Sequence, residues 1–535
     1  MRKFSILSMA FLTILSFLLS SCRRNVPEVS TQKAIMLGNG KVRLNATVNP
    51  NGNSVTVYFE YGKSTDYGNT IDAFPNKLSG ENFFSVIADL ENLEPKTTYH
   101  YRVVAKYKKR KAAYGEDMTF TSPALEFKKN FGGSGPDAAQ SIVETPDGGY
   151  IAVGTTGSND GDVSGSHGAN DMNNDIWVIK LDERGNLKWQ RCFGGTENDV
   201  ANQIIKTTDG NYVIVGNTFS SDGDVVGHHE GYYNMDAWII KINNSGNILW
   251  QKCLGGSNDD GANSIYQTSD GGFIVAGYSY SDDGDLTENK GGYDYWIIKL
   301  NASGDIQWQK VYGGSNDDIA ASIIQTSDGG YLIAGESYST DGDVEGNHGS
   351  YTYDYWILKI DNSGNIQWSK NFGGSEDDIP HSIIQTSDGN YLIAGETTSY
   401  NGDIDYNHGW IDFWIIKLNQ SGNIIWKKTF GGSSDDIAYS IIENSEGNYV
   451  IAGYTDSYDG DITNTNGADF WIVKIDPNGK LLSEKCFGGY YEERAYCIKQ
   501  TSDEGYIIAG YTNSDDENIH THGWEDFWIV KISTF

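Results

Sequence analysis

From residue 132 onward the chain repeats itself seven times, and that periodicity constrains the fold more than any other feature. Gly-Gly pairs begin at Gly132, Gly194, Gly255, Gly313, Gly373, Gly431 and Gly488, at intervals of 62, 61, 58, 60, 58 and 57 residues. Each unit carries the same elements in the same order. In the fourth, Tyr312-Gly-Gly leads to Asp317-Asp318 and then to Ser322–Thr326; a Ser-Asp-Gly-Gly turn (Ser327–Gly330) precedes Tyr331–Ser337. A long loop, Thr340–Gly349, is followed by Asp354–Ile360, the turn Asp361–Asn365 and Ile366–Lys370. Internal repeats of this length are single supersecondary units that cannot bury their apolar faces alone.

Four short strands joined by tight turns make each unit a small antiparallel sheet. In Asp294–Leu300, Trp296, Ile298 and Leu300 point one way and Tyr295 and Ile297 the other, so both faces are apolar. Such a sheet needs a neighbour on each side, and blades arranged in a ring supply one. The last unit stops at Asp526–Ser533 without a fourth strand, while an unpaired strand, Leu125–Asn130, precedes the first. Joining the two would close the ring and remove two sheet edges. The sequence therefore predicts an all-β seven-bladed β-propeller over 123–535, closed by an N-terminal strand. The 34 tyrosines, 64 glycines and 9 prolines agree with strands and glycine turns. The region resembles the propeller repeats of secreted bacterial proteins. The turn Asp182–Trp189 is also similar to the Asp-x-x-Gly-Asn-x-x-Trp turn of quinoprotein propellers, although adjacent cysteines and an eighth unit are absent.

Two segments come before the ring. Arg2 and Lys3, the apolar run Phe4–Leu19 and Leu19-Ser20-Ser21-Cys22 resemble a bacterial lipoprotein signal. The resemblance implies cleavage before Cys22, diacylation of that residue, and a body held at the cell envelope, placed here at the outer membrane, with the lipid as its only membrane contact. Residues 23–35 read as a linker. Over 36–122, Val42, Leu44, Ala46 and Val48 share one face and Val55, Val57 and Phe59 another. The segment Leu93–Ala105 resembles the corner and following strand of fibronectin type III β-sandwiches, which implies a corner role for Tyr99.

Charge narrows the partners. Residues 23–122 hold 14 Lys/Arg and 10 Asp/Glu (14 − 10 = +4); residues 123–535 hold 23 and 62 (23 − 62 = −39). A body this acidic repels nucleic acid and anionic lipid and suits cations or basic partners. The cysteines Cys192, Cys253 and Cys486 recur at one place in separate units, which suits buried thiols rather than disulfides.

Strand alternation puts the long loops and the connections between units on one face, the expected working face. Its loops carry Asp-Gly-Asp: Asp160/Asp162, Asp222/Asp224, Asp283/Asp285, Asp341/Asp343 and Asp459/Asp461, with Asn401/Asp403 in the fifth unit. These carboxylates either bind Ca²⁺ or build the loops through their own backbone. A carboxylate stands five residues after each first glycine (Asp137, Asp199, Asp260, Asp318, Asp378, Asp436, Glu493). Loop histidines His167, His229, His348, His408 and His522 read as structural, and Asp-x-Trp-x-x-Lys, present in every unit, reads as framework. The aromatics Tyr232, Tyr233, Tyr351, Tyr353, Trp410, Tyr490, Tyr491 and Trp524 break the repeat on this face. Aromatics stack on sugars or anchor protein contacts, so the sequence points to a protein- or glycan-binding scaffold, with a glycan hydrolase or lyase using rim carboxylates as the alternative.

Overall fold

The computed structural model describes residues 26–38, 41–91, 93–94, 96–108, 110–122, 126–168, 173–229, 234–349, 351–463, 465, 467–516 and 519–533; Cys22 lies outside them. The chain divides into two compact units at residue 125, and all the regular structure among the described residues is β. No helix among the described residues is long and apolar enough to cross a membrane.

The N-terminal unit contains β1 (Glu28–Gly38), β2 (Lys41–Asn49), β3 (Ser54–Gly62), β4 (Asn69–Ser79), β5 (Phe84–Leu90), β6 (Thr98–Tyr107), β7 (Lys111–Tyr114) and β8 (Met118–Thr121). Strand pairing runs β1-β2-β5-β4-β3-β6-β7, with β8 also on β6. Val42, Leu44, Ala46 and Val48 are buried with Val55, Val57 and Phe59, as their alternation predicts. The Tyr99 hydroxyl accepts a hydrogen bond from the Glu94 N–H at 3.1 Å. One difference from expectation is β1, which begins inside the stretch read as a linker. Its residues alternate weakly in polarity, yet β2 offers an open edge and the Tyr101 hydroxyl donates to the Gln32 carbonyl at 2.7 Å.

The second unit is a propeller of seven four-stranded antiparallel blades. Blade 1 spans Asp137–Phe193, blade 2 Asp199–Leu254, blade 3 Asp260–Tyr312, blade 4 Asp318–Phe372, blade 5 Asp378–Phe430 and blade 6 Asp436–Phe487. Blade 7 runs from Glu493 to Ile532, and its fourth strand is β9 (Phe127–Phe131), paired so that Phe131 faces Phe527 and Phe127 faces Lys531. The Ser502 N–H adds a 2.8 Å bond to Glu144 of blade 1 across the closure.

Blades adhere through the third strand, Asp175–Leu181 and its equivalents. It is buried along its whole length in every blade but the sixth, where only Lys474 is half-buried. At five seams its tryptophan packs on an aromatic ring of the preceding blade: Tyr295 with Trp356 at 4.3 Å, Tyr355 with Trp414, Phe413 with Trp471 and Phe470 with Trp528 at 4.5 Å, and Phe527 with Trp177 at 4.5 Å to close the ring. Removing β9 (residues 126–131) should therefore uncover Trp528 and open the strand Asp526–Ile532. We expect a loss on the order of 5 kcal/mol, read as a markedly lower melting temperature with association between molecules. An unchanged melting curve would show that β9 does not close the ring.

Candidate functional site

The Asp-x-Trp-x-x-Lys repeat fastens both ends of the third strand. The lysine reaches the first hairpin turn: Lys180 to Asp147 at 2.7 Å, Lys241 to Asp209 at 2.7 Å and Lys417 to Asp388 at 2.7 Å. The indole N–H of Trp177 donates to Gln190 at 2.9 Å. On the long-loop face the aspartate is fully buried and accepts both the N–H and the Nδ1 of the loop histidine, as His167 does on Asp175 at 2.8 and 2.9 Å. His229, His348, His408 and His522 repeat the arrangement on Asp236, Asp354, Asp412 and Asp526. Their structural reading holds.

The long loops fold down onto the Gly-Gly connections. The first member of each acidic pair accepts an N–H just after the glycines: Asp160 from Ser134, Asp283 from Ser257, Asp341 from Ser315 and Asp459 from Ser433, all at 2.7 Å, and Asp222 from Thr196 at 2.8 Å. The second member approaches the first glycine's N–H, as Asp162 does at 3.4 Å and Asp461 at 3.3 Å. It also faces the histidine of the preceding blade: His167 Nε2 is 3.8 Å from Asp224, His229 Nε2 3.7 Å from Asp285 and His348 Nε2 3.7 Å from Asp403, while Lys290 pairs with Asp343. The loops are thus tied from blade to blade. Among the described residues no group of three metal-donor side chains gathers.

The carboxylates after the glycine pairs are not rim groups, because they are fully buried. Asp137 accepts the Gly133 N–H and the Ser158 hydroxyl, each at 2.8 Å, and the Thr156 hydroxyl as well. Burial outweighs these bonds. It pushes Asp137, Asp199, Asp260 and Asp318 up to about 6 and Asp378 and Asp436 up to about 7.

Of the loop aromatics, Tyr351, Trp410, Tyr490, Tyr491 and Trp524 are exposed, Trp410 and Trp524 at 76% and 79%. Tyr353 is half-buried against Tyr338 at 5.0 Å, and Tyr232 and Tyr233 lie outside the described residues. The structure adds exposed Tyr280, Tyr400, Tyr406 and Tyr458. All of these except Tyr280 of blade 3 and the two undescribed tyrosines belong to blades 4 to 7 or to the connection into blade 7.

The sequence reading missed a second set, at the axis. First strands of neighbouring blades lie side by side around the centre, and each carries a β-bulge at its fourth residue, a device that re-aims a side chain. That residue is Gln140, Asn202, Asn263 or Ala321 in blades 1 to 4, but His381, Tyr439 and Tyr496 in blades 5 to 7. His381 lies 5.1 Å from the Tyr439 ring, and Tyr439 lies 4.9 Å from Tyr496. Arg494 sits 4.6 Å over the Tyr454 ring and donates to Glu492. Glu336 and Glu396 join from the second strands, with His381 Nε2 3.5 Å from Glu396 Oε2. Aligning the fourth residue of the repeat would have exposed this set.

Fold and site together define a seven-bladed propeller with an asymmetric, aromatic and acidic long-loop face. Residues 285–431 match the family model described as arylsulfotransferase (ASST), a β-propeller family. The Caulobacter vibrioides protein named Regulatory protein FlaEY is 25% identical over 308 residues, 52% of this chain and 29% of that protein, so the chain spans less than a third of that relative. Puromycin hydrolase is 12% identical, with 79% of this chain and 59% of that one covered and a TM-score of 0.35. A Synechocystis apocarotenoid oxygenase mutant is 11% identical, with 77% and 94% covered and a TM-score of 0.34. Likeness at this level carries no argument about function.

The buried carboxylates make stability fall with rising pH. Between their ordinary value of 3.8 and about 6 to 7, the folded chain holds protons that the unfolded chain has released. Below that range the effect reverses, because the Thr268 hydroxyl and Lys299 hold Asp270 down to about 2. The melting temperature should therefore peak near pH 4 to 5 and fall towards pH 8; a steady rise from pH 5 to 8 would contradict the assignment. Because the Asp-Gly-Asp carboxylates already brace the loops, Ca²⁺ and EDTA should leave the melting temperature unchanged, and a calcium-dependent rise would show that these carboxylates do hold the ion.

Proposed function

We propose that this chain is a cell-envelope lipoprotein, anchored through Cys22, whose propeller binds a protein or glycan across its long-loop face. The fibronectin type III-like module serves as a spacer between anchor and propeller. The observation that supports the reading is the run of exposed aromatics on the long-loop face, from Tyr280 of blade 3 through blades 4 to 7. A framework role would recur in every blade, whereas Trp410 and Trp524 occur in two and project into solvent. Exposed patches of large apolar side chains mark binding surfaces, and tryptophan and tyrosine dominate the energetics of such contacts. The acidic body around them turns away nucleic acid and anionic lipid.

The test uses the full-length protein in detergent, on a glycan array and with solubilised cell-envelope proteins. Trp410→Ala and Trp524→Ala should each shift stability by about 0.5 kcal/mol or less, as exposed positions do. Each should also weaken binding roughly tenfold. Unchanged binding in both variants, or hydrolysis of the arrayed glycans, would overturn the reading.

A further inference from the structure

Glu336 and Glu396 hold the same place in blades 4 and 5, the sixth residue of the second strand (Tyr331–Ser337 and Tyr391–Thr397). In blade 6 that place belongs to Tyr454. The chain's own repeat makes the comparison informative. At the seam between blades 6 and 7, Arg494 lies over the Tyr454 ring, and its Nη1 is 3.4 Å from the Tyr439 hydroxyl. Arg494 is the second residue of its strand; the equivalent residue is Ile379 in blade 5 and Ile437 in blade 6. The two preceding seams thus have a carboxylate where blade 6 has a tyrosine, and an isoleucine where blade 7 has an arginine.

Those carboxylates are half-buried. Among the described residues the basic group beside them is His381, 3.5 Å from Glu396. Burial pushes Glu336 up to about 7, with His381 opposing and Glu396 adding to the rise. A carboxylate withdrawn from water without a counter-charge is destabilising, and a cation brought to it restores the balance. Aromatic faces beside it strengthen that preference, and Tyr439 stands against His381 at 5.1 Å.

We propose that the seams flanking blade 5 bind an ammonium or guanidinium group of a ligand, held between Glu336 and Glu396 and against Tyr439; one seam further on the chain fills the corresponding space with its own cation, Arg494, held by Glu492, the Tyr454 ring and the Tyr439 hydroxyl. The inference rests on the long-loop face being a binding surface, and it gives that face a ligand class. The same cation is offered by a basic side chain of a protein partner and by a free amine.

Calorimetry on the full-length protein in detergent tests it with agmatine, with the capped tripeptide Gly-Arg-Gly, and with the citrulline tripeptide as the uncharged control. Both cations should bind and the citrulline peptide should not. Glu336→Gln should weaken binding at least tenfold. Ile379→Arg, which reproduces the Arg494 arrangement and does not depend on losing a carboxylate, should raise the melting temperature and abolish binding. A tripeptide binding at least tenfold more tightly than agmatine would assign the cation to a protein partner, and equal binding to a free amine. The proposal fails if neither cation binds the unmodified protein, or if binding persists in either variant once it is shown to be folded. Should it fail while Trp410→Ala still weakens envelope binding, the cation site falls and the binding face stands.

Discussion

The third strand of each blade is buried on both faces, and the rest of the propeller follows from meeting that demand. A lone four-stranded sheet with Trp296, Ile298 and Leu300 on one side and Tyr295 and Ile297 on the other would leave one apolar face in water. Two neighbours remove both faces from solvent, and a closed ring gives every blade two neighbours. The contact of Phe527 with Trp177 is therefore no different in kind from that of Tyr295 with Trp356. Closure by β9 supplies the last hydrogen-bonded edge.

Burying that strand also buries an aspartate at one end and a lysine at the other, and both need partners. The lysine finds the acidic residue of the first hairpin turn; the aspartate finds the backbone and ring of a loop histidine. One motif thus organises both faces. The glycines answer a further demand. A side chain at Gly335, in the second strand of blade 4, would place its Cβ 2.1 Å from the Ile319 carbonyl, because the bulged first strand passes close by. The repeated Asp-Gly-Asp pairs belong to the same frame, since their carboxylates accept N–H groups just after the glycine pairs.

What the frame does not use is concentrated on one side. Blades 1 to 3 carry amides at the axis; blades 4 to 7 carry Glu336, His381, Glu396, Tyr439, Arg494 and Tyr496, and the exposed loop aromatics run from Tyr280 of blade 3 through the same blades. A ring of equivalent units has no reason of stability to differ in this way. The proposed binding face rests on that difference.

The sequence by itself determined the ring: its period, the two-sided apolarity of its strands and the missing last strand are local facts that survive without coordinates. It also determined which face holds the long loops, since strand direction alternates. It read the Asp-Gly-Asp pairs as either a metal site or loop architecture, and only the hydrogen bonds from Ser134, Ser257 and their equivalents show those pairs bracing the loops. The burial of Asp137 and its counterparts was likewise invisible, because a carboxylate held by glycine N–H groups and hydroxyls is written like an exposed one. Above all, the tertiary structure decided the axial cluster. Arg494, Tyr439 and His381 stand in three successive blades, and a bulge re-aims two of them; only the packing of blade against blade brings successive first strands together at the centre.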